Sequence, residues 1–579
     1  MADQVPDPAR PDHGGAHAVA AAGRHGVRTM FTLSGGHVFP LYDGAVKADP
    51  PMRIVDVRHE QTAVFAAEAT ARLSRTSGLA VLTAGPGVTN GISAMTTAHF
   101  NGAPLVVLAG RAPDYRWGSG SLQEIDHPAL VQAVTKRAWT EHDSARVGPA
   151  TDQAFSLAAA RHRGPVFLDV SLEALFGGAG PGQAAAAAPG PAGGSGPASS
   201  PGRAAGPGQA VTGPDPDAVA GIAALLARAS RPVLVLGSDV WLDGADGAAR
   251  SAAEELSLPV IPNGQARGIL PPGHELLVTR ARSVAFGEAD LVIVAGTPLD
   301  FRLGYGEFGG KNGTSAAGVV HVADAPELIA GHRELAGSAA GDLSAFFTGL
   351  AAATAAAAAG GPARWRQDWL PRLQAAARVA IAGDAGLLAA GADPIHPLRI
   401  YGELARLLDS DAVVIGDGGD FVSYAGKYIE PRSPGCWLDP GPYGCLGTGL
   451  GYAIAARLAR PSAQVVLLLG DGAAGFSLMD IDTAVRHRLP VVMICGNNGI
   501  WGLEKHPMRQ LYGYDVAADL QPGCRYDQVA TALGGAGELV TRPDQIAPAL
   551  RRAFEAGLPY LVNICTDPAV AYPRSTTGV

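Results

Sequence analysis

The sequence predicts an α/β protein made of three doubly wound parallel-sheet domains. Its 579 residues exceed the roughly 150 residues of a typical domain several-fold. Short, almost continuously apolar runs rich in Val, Leu and Ile alternate with Ala-, Leu- and Arg-rich stretches of helical character. Strands of parallel sheets are apolar throughout because helices cover both of their faces. Two low-complexity segments divide the chain into three parts that share this alternation.

Each part carries several runs that we expect to be buried strands. In the first part, residues 12–176, these runs are at 53–57, 79–84, 104–110 and 165–170. In the second part, residues 217–350, they are at 232–237 and 291–296. In the third part, residues 371–579, they are at 412–417, 464–472, 490–498 and 559–564. Gly-rich segments follow several of these runs, at the sheet edge where such folds bind ligands.

The two low-complexity segments are the predicted linkers. Residues 177–216 consist almost entirely of Gly, Ala, Pro and Ser, which offer little to bury against a core, so we expect a flexible linker. The second linker, residues 351–370, begins with an alanine-rich stretch able to form a short helix before a Gly-Gly-Pro stop.

Composition argues against several partners and compartments. Lys and Arg number 44 against 53 Asp and Glu, a net charge of −9 without long runs of either sign, so we expect neither nucleic acid nor a membrane as partner. The N-terminus does not resemble a signal peptide, and no run approaches the about 18 apolar residues of a membrane span. Five cysteines without a C-x-x-C pair favour a reducing cytoplasm.

The most specific chemical signal is a pair of polar turns at two successive strand ends. Gly470-Asp471-Gly472 closes one apolar run, and Asn497-Asn498 closes the next after 24 intervening residues. Side by side, these ends present a carboxylate and an amide oxygen to a hard cation, and small residues let a diphosphate approach the backbone. Either turn alone is an ordinary loop, whereas the joint spacing favours a cation site.

This segment resembles the thiamine diphosphate fingerprint of the acetolactate synthase and pyruvate decarboxylase superfamily, and the resemblance covers nearly the whole chain. It implies thiamine diphosphate and Mg²⁺ as cofactors. It further implies that Mg²⁺ is bound by Asp471, by the side chain of Asn498 and by the backbone carbonyl of Ile500.

The same resemblance places two loops against the diphosphate. The residues implied to contact the diphosphate are Gly472 and Ala473 in one loop and Gly419 and Asp420, within GDGGDF, in the other. Phe421 departs from the pattern, because acetolactate synthases usually carry His there.

Glu60 follows the run at 53–57 within the sequence RHE. From pattern alone it is equally an acidic residue at a helix N-terminus. The match to the family implies that Glu60 hydrogen-bonds N1′ of the aminopyrimidine and favours the imino form that activates the cofactor. Pro86 and Asn90, within GPGVTN, resemble the turn that lies against the pyrimidine ring.

Two further segments resemble the family near the reacting atoms. The sequence YGCLG at 443–447 implies cofactor contacts for Gly444 and for Leu446, the bulky residue that props the cofactor into its bent shape; a lone Leu is otherwise a core residue. Gln123 is implied as a catalytic, substrate-side residue, with Leu122 in place of the family's Phe.

Two further catalytic candidates, Glu504 and His37, can also be explained without a catalytic role. Glu504 lies six residues after Asn498, the spacing of an active-site glutamate in pyruvate decarboxylases, and is a candidate proton donor or acceptor. It is also interpretable as a solvated helix charge beside Lys505 or His506. His37 is a candidate substrate-facing residue, although a loop-packing role is the more common one.

The central part leaves its ligand open. Its segments at 233–241 and 294–306 occupy the positions where acetolactate synthases bind FAD. The family's Gly-rich turn and phosphate-pairing Arg are altered here. FAD, an adenine nucleotide moiety such as that of a CoA thioester, and a purely structural domain are the three interpretations.

The resemblance implies an acetolactate synthase-like enzyme of branched-chain amino acid biosynthesis, which decarboxylates pyruvate and joins the hydroxyethyl carbanion to a second 2-oxo acid. A 2-hydroxyacyl-CoA lyase with the same cofactor is the alternative, and a non-catalytic relative is a third. In the resembled family the cofactor is shared between subunits, which implies a homodimer or homotetramer. A regulatory subunit is left open.

Overall fold

The structure, a computed structural model, describes residues 12–178, 213–357, 365 and 367–573. It forms two compact units. The first holds the described residues up to Ala71 and from Thr76 to residue 178, and the second holds Arg72–Arg75 and the described residues from 213 onward. Nearly all of the predicted linker at 177–216 lies outside the described residues.

The described strands form three wholly parallel sheets, which confirms the predicted fold class. The first unit contains β1 (Thr29–Thr32), β2 (Arg53–Asp56), β3 (Gly78–Leu82), β4 (Leu105–Arg111), β5 (Arg137–Glu141) and β6 (Val166–Ser171). The second unit contains β7 (Pro232–Leu236), β8 (Val260–Pro262), β9 (Leu291–Ala295), β10 (Gly318–Ala323) and β11 (Gly337–Ala340) in one sheet. Its other sheet contains β12 (Val413–Asp417), β13 (Trp437–Leu438), β14 (Val465–Gly470), β15 (Val492–Asn497), β16 (Ala536–Val540) and β17 (Tyr560–Cys565).

The first and third sheets share one topology. Their orders are β2-β1-β3-β4-β6-β5 and β13-β12-β14-β15-β17-β16, which are identical when each sheet is numbered from its own first strand. The central sheet, β11-β10-β9-β7-β8, follows the same order for its first four strands. In each sheet the chain reverses its direction of travel beside the first strand, which is the position where doubly wound sheets bind ligands.

Helices connect the strands. Those before the first linker are α1 (Gly14–Arg24), α2 (Phe39–Lys47), α3 (Glu60–Ser74), α4 (Pro86–Asn90), α5 (Ile92–Phe100), α6 (His127–Val131), α7 (Ser144–Ala159) and α8 (Leu172–Phe176). Those around the central sheet are α9 (Pro216–Arg228), α10 (Ser238–Leu242), α11 (Asp246–Leu256), α12 (Arg282–Glu288), α13 (Leu343–Ala357) and α14 (Trp369–Leu388). The remaining ones are α15 (Leu398–Leu404), α16 (Gly419–Tyr428), α17 (Gly449–Ala459), α18 (Asp471–Ser477), α19 (Ile481–Arg486), α20 (Gly502–Tyr512), α21 (Tyr526–Ala532) and α22 (Pro543–Glu555).

Local chemistry sets several helix starts. Asp215 precedes α9, and its carboxylate accepts from the backbone N–H of Asp217, while Pro216 occupies the first turn, where a missing N–H costs nothing. Asp143 caps α7 in the same way, by accepting from the N–H of Ala145. Such caps are each worth about 1 kcal/mol, so most of the stability comes from burying the apolar strands between helices.

The region predicted as a second linker is partly helical. Residues 351–357 continue α13, and 358–364 and 366 lie outside the described residues. Trp365 and Trp369 are buried, and their indole N–H groups donate to the backbone oxygens of Ser257 and Pro232, each at 3.0 Å. The start of α14 is therefore anchored on the central sheet. Within the described residues, no helix is long and apolar enough to cross a membrane.

Candidate active site

The polar segments singled out in the sequence follow strands at the carboxyl edges of the first and third sheets. In the third sheet, Asp417 ends β12 and Asp471 follows β14, the two strands at which the chain reverses direction. In the first sheet, His37 and Gly85 follow the equivalent strands β1 and β3. Asp471 and His37, of the predicted site residues, therefore lie where the topology places a ligand.

Asp471 is a buried carboxylate at the start of α18, with 4% of its surface exposed. Its Oδ1 accepts from the backbone N–H of Gly472 at 3.0 Å, and its Oδ2 accepts from that of Gly499 at 2.7 Å. Burial raises the pKa of Asp471 to about 6, although these hydrogen bonds act to lower it. A carboxylate that is costly to ionise where it lies is stabilised by a cation, so the geometry fits a metal ligand.

Asn498 and Ile500 belong to the loop that follows β15. Asn498 is partly exposed, and its Oδ1 accepts from the backbone N–H of Ile500 at 3.2 Å, which leaves that oxygen a further lone pair. The N–H of Leu520 donates to the backbone oxygen of Gly499 at 2.8 Å and holds the loop from its other side. The bond from Gly499 to Asp471 joins this loop to α18. The three predicted metal ligands are thus on adjoining segments, and their binding of Mg²⁺ stays a prediction.

The packing around Gly472 explains why this position is a glycine, which the sequence alone did not reveal. The indole ring of Trp501 occupies the space that a Cβ at Gly472 would need. Any side chain there would displace Trp501, which lies between the Asn498–Ile500 loop and α20. The absence of a side chain at Gly472 therefore lets Trp501 pack directly on the start of α18. This packing does not depend on whether Gly472 also contacts a diphosphate.

Ala473 and Leu446 converge on Gly418, the residue that follows β12. A Cβ at Gly418 would lie 2.5 Å from Cβ of Ala473 and 3.7 Å from Cδ2 of Leu446. Leu446 is partly exposed, which suits a residue that props a ligand better than a core residue. Gly444 is exposed two residues earlier, with a φ of 70°. The structure thus brings Ala473 and Leu446 together from different elements.

Asp417 holds the loop that carries Leu446. Its two carboxylate oxygens accept from the backbone N–H groups of Gly447 at 3.1 Å and Gly449 at 2.9 Å, and the residue is completely buried. Burial raises the pKa of Asp417 to about 7. The sequence contains this residue within GDGGDF, but it gave no indication that Asp417 supports the loop after β13 rather than a ligand.

The first residues of α16 divide between two environments. Gly419 lies 3.7 Å, measured from the position of a Cβ, from the side chain of Leu503, and Asp420 is buried beside Gly502. Phe421 points the other way: its ring packs into the sheet against the backbone of Gly496. Since Phe421 fills the core, the departure from the family's His leaves the position without a polar group at this edge.

In the first unit, Glu60 begins α3 and is buried, with 6% of its surface exposed. Its Oε2 accepts from Nδ2 of Asn90 at 3.0 Å. Its Oε1 faces Gly87, at 3.8 Å from the position of a Cβ there. Asn90 ends α4, which starts at the exposed Pro86. The structure therefore joins the two segments predicted to contact the pyrimidine ring through one Asn–Glu hydrogen bond.

Gln123 lies against Gly85, the residue before Pro86. The φ of Gly85 is 61° and its ψ is −114°, a conformation restricted to glycine, and a Cβ there would lie 2.8 Å from Cβ of Gln123. Gln123 itself has a φ of 63°, which is uncommon for a residue with a side chain. Leu122 is 80% exposed. The loop that carries Gln123 is thus held in an unusual conformation at the edge of the first sheet.

His37 lies at the same edge. Its Nδ1 is 3.1 Å from Oγ1 of Thr83, and its backbone packs against Gly110 at the end of β4. Partial burial lowers the pKa of His37. Burial therefore favours the neutral imidazole over the charged one, and one ring nitrogen is engaged by Thr83.

Glu504, on α20, is exposed. Its neighbour Lys505 is buried and donates to Asp515 at 2.7 Å and to Asp519 at 2.5 Å rather than to Glu504. The solvated ion pair with Lys505 that the sequence allowed is therefore not present. A catalytic role for Glu504 stays a prediction.

The central sheet has a cavity of its own at the carboxyl ends of β9 and β10. It has a volume of about 320 Å³ and is lined by Pro298, Leu299, Asp300, Tyr305, Leu328, Ala330 and His332. Arg302, two residues after Asp300, is bound to that carboxylate at 2.7 Å. A cavity of this size is at the small end of ligand sites, and Arg302 beside it is already paired with Asp300.

Comparison with known proteins agrees with this geometry. Three family models match the chain: the N-terminal TPP (thiamine pyrophosphate) binding domain of thiamine pyrophosphate enzymes over residues 12–130, the central domain over 219–350, and the C-terminal TPP binding domain over 417–564. The C-terminal match includes Asp471 and Asn498, and the N-terminal match includes Glu60.

The chain is similar to curated proteins over nearly its full length. It is 48% identical to the acetolactate synthase large subunit IlvG of Mycobacterium tuberculosis and to a probable acetolactate synthase of Mycobacterium bovis, with 98% of each chain covered. It is 33% identical to 2-hydroxyacyl-CoA lyase 2 of Homo sapiens, with 96% of this chain and 90% of the human protein covered. The chain belongs to the thiamine pyrophosphate enzyme family.

Proposed function

We propose that the chain is an acetolactate synthase-like enzyme that releases CO₂ from pyruvate and joins the remaining two-carbon unit to a second 2-oxo acid. The observation that supports this reaction most strongly is the 48% identity to acetolactate synthases over 98% of both chains. Identity to the 2-hydroxyacyl-CoA lyases is 34% or less.

Thiamine diphosphate and Mg²⁺ are the cofactors of this proposal, and the residues present fit them. Asp471 and Asn498 offer carboxylate and amide oxygens, the donor set of a hard cation, and Ile500 offers a backbone carbonyl on the same loop. When bound, thiamine diphosphate supplies the electron sink for breaking and forming bonds at a carbonyl carbon. Asp471 would contribute one negative charge toward the two positive charges of the cation.

Glu60 is the proposed proton-handling residue. Because Asn90 donates to Oε2, the carboxyl is held in one orientation, and Oε1 is the oxygen left to hold or release a proton. Burial of Glu60 keeps bulk water from competing for that proton. Gln123 and His37, at the same edge of the first sheet, are the proposed substrate-side residues, and Glu504 is a proposed proton donor or acceptor.

The test is a product assay. Purified protein supplied with thiamine diphosphate, Mg²⁺ and pyruvate is expected to release CO₂ and accumulate acetolactate. Absence of acetolactate, with the protein folded and the cofactor bound, would overturn the synthase proposal.

The second candidate is cleavage of a 2-hydroxyacyl-CoA. It is supported by the 33–34% identity to 2-hydroxyacyl-CoA lyases 2 over 96% of this chain. Formation of an aldehyde and formyl-CoA from a 2-hydroxyacyl-CoA, without acetolactate from pyruvate, would favour this candidate.

FAD is not part of the proposed reaction. Among the described residues the central cavity is small and Arg302 is paired with Asp300, so FAD has no specific supporting contact here, and the alternatives are an adenine nucleotide or CoA moiety and a purely structural domain. The colour of the purified protein tests this directly, since a bound flavin is yellow.

We further propose a cytoplasmic homodimer. A shared cofactor needs Glu60 from one subunit and Asp471 from another, which is the arrangement implied by the family resemblance. All five cysteines are free thiols, which is compatible with a reducing compartment. Sedimentation of the purified protein tests the oligomeric state.

A further inference from the structure

We infer that His127 and Asp169 form a positioning pair that holds the Gly85–Asn90 turn and the Gln123 loop in one arrangement. Both residues are completely buried in the first unit. His127 begins α6, four residues after Gln123, and Asp169 lies on β6. The catalytic consequence of this inference rests on the proposed function. The hydrogen-bonded arrangement around His127 does not.

The hydrogen bonds assign the tautomer of His127. The backbone N–H of Gly85 points at Nε2 of His127 at 2.8 Å. A backbone N–H can only donate, so Nε2 carries no proton, and the proton of the neutral ring is on Nδ1. Nδ1 then donates to Oδ2 of Asp169 at 2.9 Å. The carboxylate thus selects the tautomer whose other nitrogen accepts from Gly85.

Arg111 lies beside Asp169 inside the first unit. Nη1 of Arg111 lies 3.7 Å from Oδ2 of Asp169 and also donates to Oγ1 of Thr140 at 3.0 Å. The guanidinium of Arg111 is stacked over the ring of Trp117, 3.6 Å from its centroid. Arg111 is therefore close enough to Asp169 for a favourable charge interaction, while Oδ1 of Asp169 has no hydrogen-bond partner among the described residues.

One imidazole thereby joins the two segments proposed to face the cofactor and substrate. Gly85 is in a conformation restricted to glycine, so an acceptor for its N–H helps to fix the turn that leads to Asn90 and hence to Glu60. Gln123 packs on the other side of Gly85, and its own loop ends at His127. Loss of the imidazole should release both segments together.

The test uses His127→Leu, which removes the acceptor, and His127→Gln, whose side-chain oxygen reaches a similar position and can still accept from Gly85. His321→Gln is the matched control, because His321 is also buried and bonds through both ring nitrogens, to Thr297 and Ala330, in the other unit. Amide hydrogen exchange of the apoenzyme is measured by mass spectrometry for peptides that span 83–91 and 120–126.

We expect His127→Leu to speed exchange in both peptides by about tenfold or more, His127→Gln to restore most of the protection, and the control to leave both peptides unchanged. In the wild type, correlation spectra of ¹⁵N-labelled histidine should show His127 neutral with its proton on Nδ1. Unchanged exchange in His127→Leu, or a proton on Nε2, would overturn the inference. Both readouts need no substrate, so they stand even if the proposed reaction fails.

The catalytic consequence is tested with whichever substrate the wild type converts. His127→Leu is expected to lower kcat by about tenfold, with KM for the substrate within about twofold, and His127→Gln to recover most of that loss. Equal losses in the Leu and Gln variants would show a purely structural histidine and would contradict the positioning role.

Discussion

At the scale of single residues, two buried glutamates on one helix provide a contrast that tests the role of Glu60. Glu60 and Glu68 both lie on α3, both are buried, and each accepts from an Asn side chain: Asn90 at 3.0 Å and Asn101 at 2.7 Å. Only Glu60 lies at the carboxyl edge of the sheet. The two glutamates are therefore matched in their burial and in having an amide donor, and they differ in their position relative to the edge of the sheet.

We predict that Glu60→Gln slows exchange of the cofactor's C2 proton in deuterated water by about 100-fold or more while the cofactor stays bound, because the amide cannot hold and release a proton. Glu68→Gln should retain exchange. The measurement is NMR of the quenched cofactor, with binding followed by titration calorimetry. Equal exchange in Glu60→Gln and the wild type would remove Glu60 from this role.

Asp417 leads to a prediction about pH. Its pKa in the folded protein, about 7, is above the ordinary value of 3.8, so the folded state binds the proton more tightly than the unfolded state does. The stabilising contribution of protonated Asp417 to the free energy of unfolding is therefore fully present below about pH 4 and is lost as the pH rises through about 7.

The expected result is that the free energy of unfolding of the wild type, measured relative to Asp417→Asn, falls by on the order of 4 kcal/mol between about pH 4 and pH 7. Comparison with the variant cancels the titration of other groups. Urea unfolding of both apoproteins at several pH values measures it. Parallel pH profiles for the two proteins would contradict a carboxyl that titrates in this range.

The sequence identified those site residues that carry a local pattern. Asp471 and Asn498 were singled out because each follows an apolar strand, whereas Glu60 was singled out through the family's RHE motif, since an acidic residue at a helix start is otherwise ordinary. The contact of His127 with Gly85 and that of Trp501 with Gly472 could not be predicted, because each joins two segments that are well separated along the chain. A lone His or Trp carries no spacing signal that would reveal such a contact.

At the scale of elements, α18 contains two glycines that should respond oppositely to the same substitution. Gly472 faces the ring of Trp501, which occupies the space of a Cβ, whereas Gly475 is exposed with nothing within 4 Å of that position. Alanine is favoured over glycine in a helix by up to about 1 kcal/mol.

We therefore predict that Gly475→Ala raises the melting temperature slightly, while Gly472→Ala lowers it by several degrees and weakens Mg²⁺-dependent cofactor binding. The clash at Gly472 displaces Trp501 and with it the Asn498 loop, which is the reason for the second effect. Calorimetry with and without cofactor measures both quantities. Stabilisation by both substitutions would show that Trp501 does not pack on α18.

Burial explains only part of which strands were predictable, because the half-exposed edge strand β2 was expected at 53–57 whereas the mostly buried interior strands β1 and β10 were not. The interior strands β3, β4, β14 and β15 are apolar except at the ends of β4 and β15, and they were expected within a few residues of their observed bounds. The edge strands β5, β11 and β16 were not expected, because one side of each lacks a neighbouring strand and their residues are largely half-exposed. Mixed exposure weakens the apolar run that identifies a buried parallel strand.

At the scale of the whole molecule, the fold class followed from repetition of one alternation, but the shared strand order of the first and third sheets did not. Strand order depends on how each helix crosses its sheet, and short apolar runs look alike whichever neighbour they pair with. The shared order puts the turns around Gly85 and Asp471 at equivalent strand ends of two separate sheets. One cofactor that uses both turns is the basis of the proposed dimer.

That proposal predicts complementation between two inactive variants. Glu60→Gln and Asp471→Ala each damage one half of every shared site, so neither homodimer should be active. If the subunits of a one-to-one mixture are exchanged, half of the dimers are mixed, and each mixed dimer has one intact site and one doubly damaged site. Recovery of about a quarter of the wild-type activity is expected. If a single chain supplied both Glu60 and Asp471 to one cofactor, no site in any mixed dimer would be intact, and the mixture would stay inactive.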